Sequence, residues 1–521
     1  MTPGATVRAR TFLVVAIGGA LVLPIAWTVL TSLTSSSPRV WIQVFDGPYF
    51  GAVKRSFVLM TYVLGLALAL GLPLGVLAGT CEFPWKTAGF TCLAVPLFTP
   101  TFLWAVGTSS LRPFFSYRNQ QWFDGFPGSV MTCVMQVVPL VVFTAIAAVR
   151  TLTASQMDSV RIASGAWGLL RLTARYVFPP SLGAGVLGVL MTLTDPGTGQ
   201  IMGYHGIASE ILIAFASKHD PALAARKAIG MVLVLSPLIG WLSWTLGGWA
   251  ERQVLGRDLR RPEAIRLGGM RWLLTAGFLF CAAALSLPAL VGLARPLQVQ
   301  PTQHLAEAWN VLRESSCVTV LYGLGAGGVS VCLGLAAGWA AAPVAHLRRA
   351  VLTVSFVLAA LPAALTALGI LVISARLPAS FDQVTRSGLM VSISQGVRLA
   401  PLAAVLCLLA ACALPRAQRD AGKLHGVAIG HWMLRVALPH MAAMLTVCFL
   451  LVALLSLAEV STTLLLQPPG QASSFPARIF SVLDNVSERA LAALCVVYVL
   501  AGTSLLSVLF TLSRFSMRRK Q

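Results

Sequence analysis

A chain of 521 residues that is 57% hydrophobic and 11% charged has too little polar surface to cover a water-soluble globule of its size, so it belongs in lipid. Its net charge of +21 would suit a nucleic-acid partner, but the basic residues fall in short clusters between apolar runs, as topology signals do; no nucleic acid is expected. The ten cysteines form no CxxC pair and no metal-ligand spacing, and most lie inside apolar runs as small hydrophobes, so no metal site is expected.

Arg8 and Arg10 precede TFLVVAIGGALVLPIAWTVL, which is too long for a signal peptide and lacks a small-x-small cleavage site; it reads as an uncleaved first span. Runs of bilayer length at 11–32, 57–79, 88–108, 128–149, 181–202, 226–249, 270–293, 317–341, 350–375, 388–413, 440–466 and 489–512 predict about twelve transmembrane helices. Basic clusters at Arg8 and Arg10, Arg150 to Arg175, Arg252 to Arg271, Arg348 and Arg349, Arg416 to Arg435, and Arg514 to Lys520 occupy alternate loops. Those loops and both termini are therefore expected on the cytoplasmic side.

The most polar long connector, 251–269, divides the chain into a first half, 1–250, and a second half, 270–521, with six spans each. The halves align at an offset of about 260 residues, pairing Gly75 and Gly79 with Gly334 and Gly338, Pro96 with Pro362, Pro139 with Pro401, Pro179 with Pro439, and Asp195 with Glu459. Prolines inside apolar runs each remove a backbone hydrogen bond, so their agreement is informative. An even number of spans per half gives the two copies the same orientation. The expected fold is an all-α polytopic membrane protein of two homologous six-helix halves in a parallel pseudo-two-fold repeat, with the solute path at their interface.

Two basic stretches, VRIASGAWGLLRLTARYVFPPS and DAGKLHGVAIGHWMLRVALPH, occupy matching positions between spans four and five and between spans ten and eleven. In the second, Asp420, Ala421 and Gly422, then Gly426, then Val436, Leu438 and Pro439 match the spacing of the EAA signature of ATP-binding-cassette importer permeases. The chain resembles a fused two-copy permease of the type I importer family, in the group that includes ferric-iron, thiamine, polyamine and phosphonate permeases. Small residues let a short helix lie flat against a partner, glycine permits a sharp turn, and Leu438 and Pro439 are expected to restart the chain into the next span. An ordinary interfacial amphipathic helix is the plainer alternative. The first stretch aligns through Asp158, Arg161, Ala163, Gly165 and Pro179, with about two extra residues between acid and proline and Phe178 in place of leucine.

The resemblance implies two ATPase subunits engaging these loops, ATP and magnesium bound in those partners, no cofactor in this chain, a substrate-binding protein on the outer side, and a bacterial inner membrane. LAEVSTTLLLQPPG and LTDPGTGQIMG resemble outer segments of iron-type permeases, which favours ferric iron as the solute. Their acids, Glu459 and Asp195, either meet solute or cap and pair locally. Arg398 stands about ten residues into a span, where a charge costs roughly 2.5–3.5 kcal/mol and must face protein or a water-filled cavity. Its counterpart is Gln136; each lies three residues before a matched proline. Arg398 and Gln136 are expected to line the cavity between the halves, with Arg398 either meeting an anionic solute or pairing with Glu459; the plainer alternative is a buried arginine satisfied by carbonyls freed near Pro401.

No GxxxxGK[ST] segment is present, and no nucleophile–base pair or paired carboxylates stand in a polar loop, so no catalytic site is expected. The rival reading is a major-facilitator-like secondary transporter. That reading calls for a glycine-rich basic loop between spans two and three, where this chain has GTCEFPWK. A membrane-embedded enzyme or scaffold would need a polar cluster at one membrane face.

Overall fold

The computed structural model describes residues 3–34, 46–150, 152, 154–218, 220–255, 265–266, 268–414, 418, 422, 424–468, 470–483 and 485–518. The chain is an all-α polytopic membrane protein. Among the described residues nine helices are long and apolar enough to cross a bilayer, or up to eleven when two sharply bent helix pairs each count as one span. The last expected run, 489–512, falls within the helix Glu488–Arg518.

In chain order the principal helices are α1 (Pro3–Thr34), α2 (Gly47–Thr80), α3 (Lys86–Ala94), α4 (Thr101–Ser109), α5 (Gly125–Val149), α6 (Ala154–Leu193), α7 (Gly197–Met202), α8 (Ile207–Leu212), α9 (Pro221–Leu255), α10 (Met270–Ala294), α11 (Pro301–Ala341), α12 (Ala345–Ala360), α13 (Ala363–Ser374), α14 (Leu389–Cys412), α15 (Leu438–Leu457), α16 (Ser461–Leu466), α17 (Phe475–Val482) and α18 (Glu488–Arg518). The β-structure among the described residues is a two-residue parallel ladder pairing Cys81 with Ile265 and Glu82 with Arg266.

The helices gather into two compact units that divide the chain differently from its sequence halves. One comprises Phe45–Lys218, Asp258–Thr319 and Ala472–Gln521. Its centre is the packing of α2 on α5. Gly71, Gly75 and Gly79 recur every fourth residue on one face of α2, and a Cβ on Gly75 would stand 2.5 Å from the Ala145 Cβ. Beside it α4 and α10 cross at backbone contact, where a Cβ on Gly292 would meet the Gly107 carbonyl at 1.9 Å. Two short helices are pinned to long ones by hydroxyls: Ser56 Oγ accepts the amide of Ile207 at 3.1 Å, and Thr319 Oγ1 accepts that of Phe475 at 2.9 Å. Each amide opens a helix and would otherwise lack a partner.

The second unit comprises Met1–Val44, His219–Arg257 and Val320–Gln471. Here α11 packs on α14 as α2 packs on α5. A Cβ on Gly334 would meet the Ala403 carbonyl carbon at 2.6 Å, and one on Gly338 the Leu408 amide at 2.6 Å. Cys407 and Cys448 are buried with Ala403 and Val452 in the adjoining core. A Cβ on Gly369 of α13 would stand 2.1 Å from the Pro24 carbonyl of α1, so α1 lies on α13 as closely as α10 lies on α4.

Four expectations change. The runs at 88–108 and 350–375 are not straight spans: α3 with the following 3-10 turn bends by 97° into α4, and α12 bends by 93° into α13. Pro362 corresponds to Pro100 rather than Pro96, because Pro100 and Pro362 each cap the helix after the bend, while Pro96 sits in the 3-10 turn Val95–Leu97. The fifth span runs Arg171–Leu193 instead of 181–202, ended by Thr194, Asp195 and Pro196. The eleventh runs Gly430–Leu457 instead of 440–466. Of the expected linker 251–269, residues 256–264 and 267 lie outside the described residues.

The glycine faces give a direct test of this packing. Gly334→Val should lower the thermal unfolding midpoint in detergent by an amount corresponding to overpacking, about 1–3 kcal/mol. Gly328→Ala, where an added Cβ meets nothing within 4 Å, should leave the midpoint unchanged or raise it.

Candidate functional site

A helix broken inside a bilayer releases carbonyls and amides that water cannot reach, so the protein must supply their partners. At the bend between α3 and α4, Thr99 Oγ1 donates to the Val95 carbonyl at 2.9 Å and accepts from Trp104 Nε1 at 2.6 Å. Gln136, reaching across from α5, donates its Nε2 to the Thr99 carbonyl at 3.1 Å. On the far side of the bend, the carboxylate of Asp195 accepts from the hydroxyl of Thr101, the first residue of α4, and from the amide of Gly197, the first of α7, the latter at 2.9 Å. Asp195 therefore serves two helix N-termini at once, where a negative charge is favoured by the helix dipoles.

At the bend between α12 and α13, Arg398 takes the place of Gln136. Its Nη1 donates to the carbonyls of Leu358 and Ala359 at 3.2 and 3.3 Å, the last turn of α12. These carbonyls are released at Pro362, not at Pro401 as the sequence suggests. Glu459 Oε1 accepts from the amide and hydroxyl of Thr462 at 3.3 and 3.2 Å and so caps α16, as Asp195 caps α7. Among the described residues no ion pair joins Arg398 to Glu459. The acids thus act as caps; Arg398 and Glu459 form no ion pair at contact distance, and the Glu459 charge acts on the guanidinium from further off.

One residue of this region went unnoticed in the sequence. Gln395, 1% exposed, donates to Thr463 Oγ1 at 3.0 Å and accepts from Ser456 Oγ at 2.6 Å, which ties α14 to α15 and α16. The available signal was a second polar side chain one turn before Arg398 in an apolar run.

In the two polar loops the structure brings together part of the expected signature. Gly165 and Gly426 both have left-handed backbones, with φ of +62° and +61°, which only glycine adopts without strain. The Val427 amide bonds back to the Gly422 carbonyl at 3.1 Å, closing the turn at Gly426. Gly422 lies beneath Trp432, whose ring a Cβ there would meet at 2.6 Å, and Trp432 in turn lies 5.7 Å from Trp339 at the end of α11. Asp420 and Ala421 lie outside the described residues, as does the side chain of Arg161. Asp158, Ala163 and Pro179 are exposed.

Leu438 and Pro439 do not restart the chain. Helix runs without interruption from Ile429 through a π-turn, Met433–Ala437, into α15, with Val436 inside the π-turn and Pro439 in the first turn of α15. The widened turn accommodates the proline's missing N–H donor. In the first loop α6 is likewise continuous from Ala154 to Leu193 except at Gly165, and it contains Pro179. Ile162 and Leu424, each just ahead of its glycine, are both 87% exposed.

No group of three or more His, Cys, Asp or Glu side chains suited to a metal stands among the described residues. No protein-family model matches the chain, and no curated protein matches its sequence.

Because the acids cap helices, removing either should be felt as instability. Asp195→Ala and Glu459→Ala should each cost about 1 kcal/mol. In thermal unfolding of the purified protein both variants should melt below the wild type, and an unchanged midpoint for both would count against the capping role.

Proposed function

We propose that the chain is the permease of an ATP-driven importer, moving a small solute inward across a bacterial inner membrane. The observation that carries this reading is the pair of polar loops with left-handed glycines at Gly165 and Gly426, each continuing as helix into a span. Just before each glycine a large apolar side chain, Ile162 or Leu424, stands free of the protein's own packing. An apolar knob on a stiff lever is suited to seating in a partner's groove and passing a displacement into the membrane. The partners in this reading are two ATPase subunits that bind ATP and magnesium, and a solute-binding protein on the opposite face. The chain itself supplies the path and the lever, and its two halves are copies of one six-span unit. The likeness of the segment around Glu459 to iron-type permeases makes ferric iron the first solute to test.

The decisive measurement is copurification from the native membrane in mild detergent. The tagged chain should carry an ATPase with it, and uptake into vesicles should require ATP. Leu424→Asp and Gly426→Ala should each reduce the captured ATPase at least tenfold, with a smaller loss for Ile162→Asp and Gly165→Ala. Capture of no ATPase, together with uptake driven by a proton gradient alone, would instead favour a secondary transporter.

A further inference from the structure

We propose that Arg398 binds an oxyanion, so that the transported solute is an anion or a metal ion carried as an oxyanion complex. This rests on the transport reading above and narrows its solute class.

The argument begins with the part of the guanidinium that the protein leaves unused. Both hydrogen bonds of Arg398 come from one nitrogen, Nη1, to the carbonyls at the end of α12. Among the described residues Nε and Nη2 have no partner, and neither is sealed from solvent, in contrast to the Nε atoms of Arg226 and Arg348. The residue as a whole is half-buried although it lies well inside the membrane-spanning α14. One edge of the guanidinium therefore anchors the side chain, and the Nε/Nη2 edge keeps donors that the described residues do not use. That edge is the fork that grips a carboxylate, phosphate or phosphonate with two parallel hydrogen bonds.

No acid meets this charge at contact distance. Glu459, the acid that sequence suggested as its partner, caps α16 through Oε1, and its charge acts on the guanidinium only from further off. Gln395 is held by Ser456 and Thr463. Ser394, one helical turn before Arg398 and on the same face of α14, is fully buried with no partner for its hydroxyl among the described residues.

The comparison within the chain separates anchoring from binding. At the other bend the carbonyl contacts are made by neutral groups, the Thr99 hydroxyl and the Gln136 amide. Closing a bend thus does not require a charge. The positive charge on Arg398 exceeds what the backbone contact needs, and a charge at that depth, turned toward protein or a water-filled cavity, marks a functional position by default.

Arg398→Gln exploits this difference, because it removes the charge and the fork and places at this bend the amide that serves the other one. The full-length protein, purified in detergent, would be melted in the presence of citrate, inorganic phosphate, ferric citrate, or chloride as a control. Citrate, phosphate or ferric citrate should raise the wild-type midpoint by about 2–4 °C over chloride. Measured against its own midpoint in chloride, Arg398→Gln should lose that rise, and Arg398→Lys should keep part of it. A rise with free citrate or phosphate identifies a free anion as the ligand, whereas one confined to ferric citrate identifies the metal complex. An equal rise in Arg398→Gln, or no rise in the wild type with any of the three, overturns the proposal. The assay needs no ATPase. An Arg398-dependent rise without ATPase capture would keep this site and remove the importer reading, and capture without that rise would do the reverse.

Discussion

Everything distinctive in this protein follows from the cost of breaking a helix where there is no water. A bend near 90° inside an apolar span strands the carbonyls of the last turn before it and the amides of the first turn after it, each at a cost of several kcal/mol if left bare. The chain meets that cost in both units with the same division of labour. A side chain from the neighbouring proline-containing helix, Gln136 of α5 or Arg398 of α14, reaches the stranded carbonyls. A proline, Pro100 or Pro362, begins the new helix, where its lack of an N–H donor does no harm. The acids then cap the short helices that follow the fifth and eleventh spans.

These requirements fix the packing around the bends. A polar side chain can reach a stranded carbonyl only if the helix carrying it is held at a set distance, and in lipid that distance comes from small residues. Gly75 and Gly79 bring α2 against α5, and Gly334 and Gly338 bring α11 against α14, so the helices bearing Gln136 and Arg398 each rest on a glycine face. The post-bend helices are fixed in the same way, α4 against α10 at Gly107 and Gly292, and α13 against α1 at Gly369 and Pro24. A glycine contact has no side chain that can give, so it sets position more stiffly than a contact between long side chains.

The sequence shows where lipid is crossed, because span length and apolarity are properties of single segments. The glycine pairs were legible for a related reason, since close approach requires glycine whatever surrounds it. The bends were not legible. Pro96 and Pro100 lie four residues apart, and composition cannot say which of them begins a helix; only the carbonyl partners settle that Pro100 does. The fifth and eleventh spans were placed too late because the apolar run continues past Asp195 and Glu459 into short helices that do not belong to the span. The roles of those acids were open for the same reason, as capping depends on where the helix ends. Gln395 was missed because its partners, Ser456 and Thr463, are distant in sequence.

The second polar loop is joined to the Arg398 region by contacts that can be followed one by one within a single unit. Gly422 lies under Trp432, and Trp432 packs on Trp339. Trp339 follows Gly338, whose backbone touches α14 at Leu408. The same α14 carries Arg398, one edge of which is fixed to the last turn of α12. Most of these joints are aromatic rings or bare backbone, which transmit a displacement instead of absorbing it. A push on the loop at Gly426 would therefore reach α14 as a movement of the whole helix. Arg398, tied to α12 while its own helix moves, is the side chain that such a movement would strain or realign first. The route is made of contacts, and two stable positions of α14 would make it a coupling mechanism.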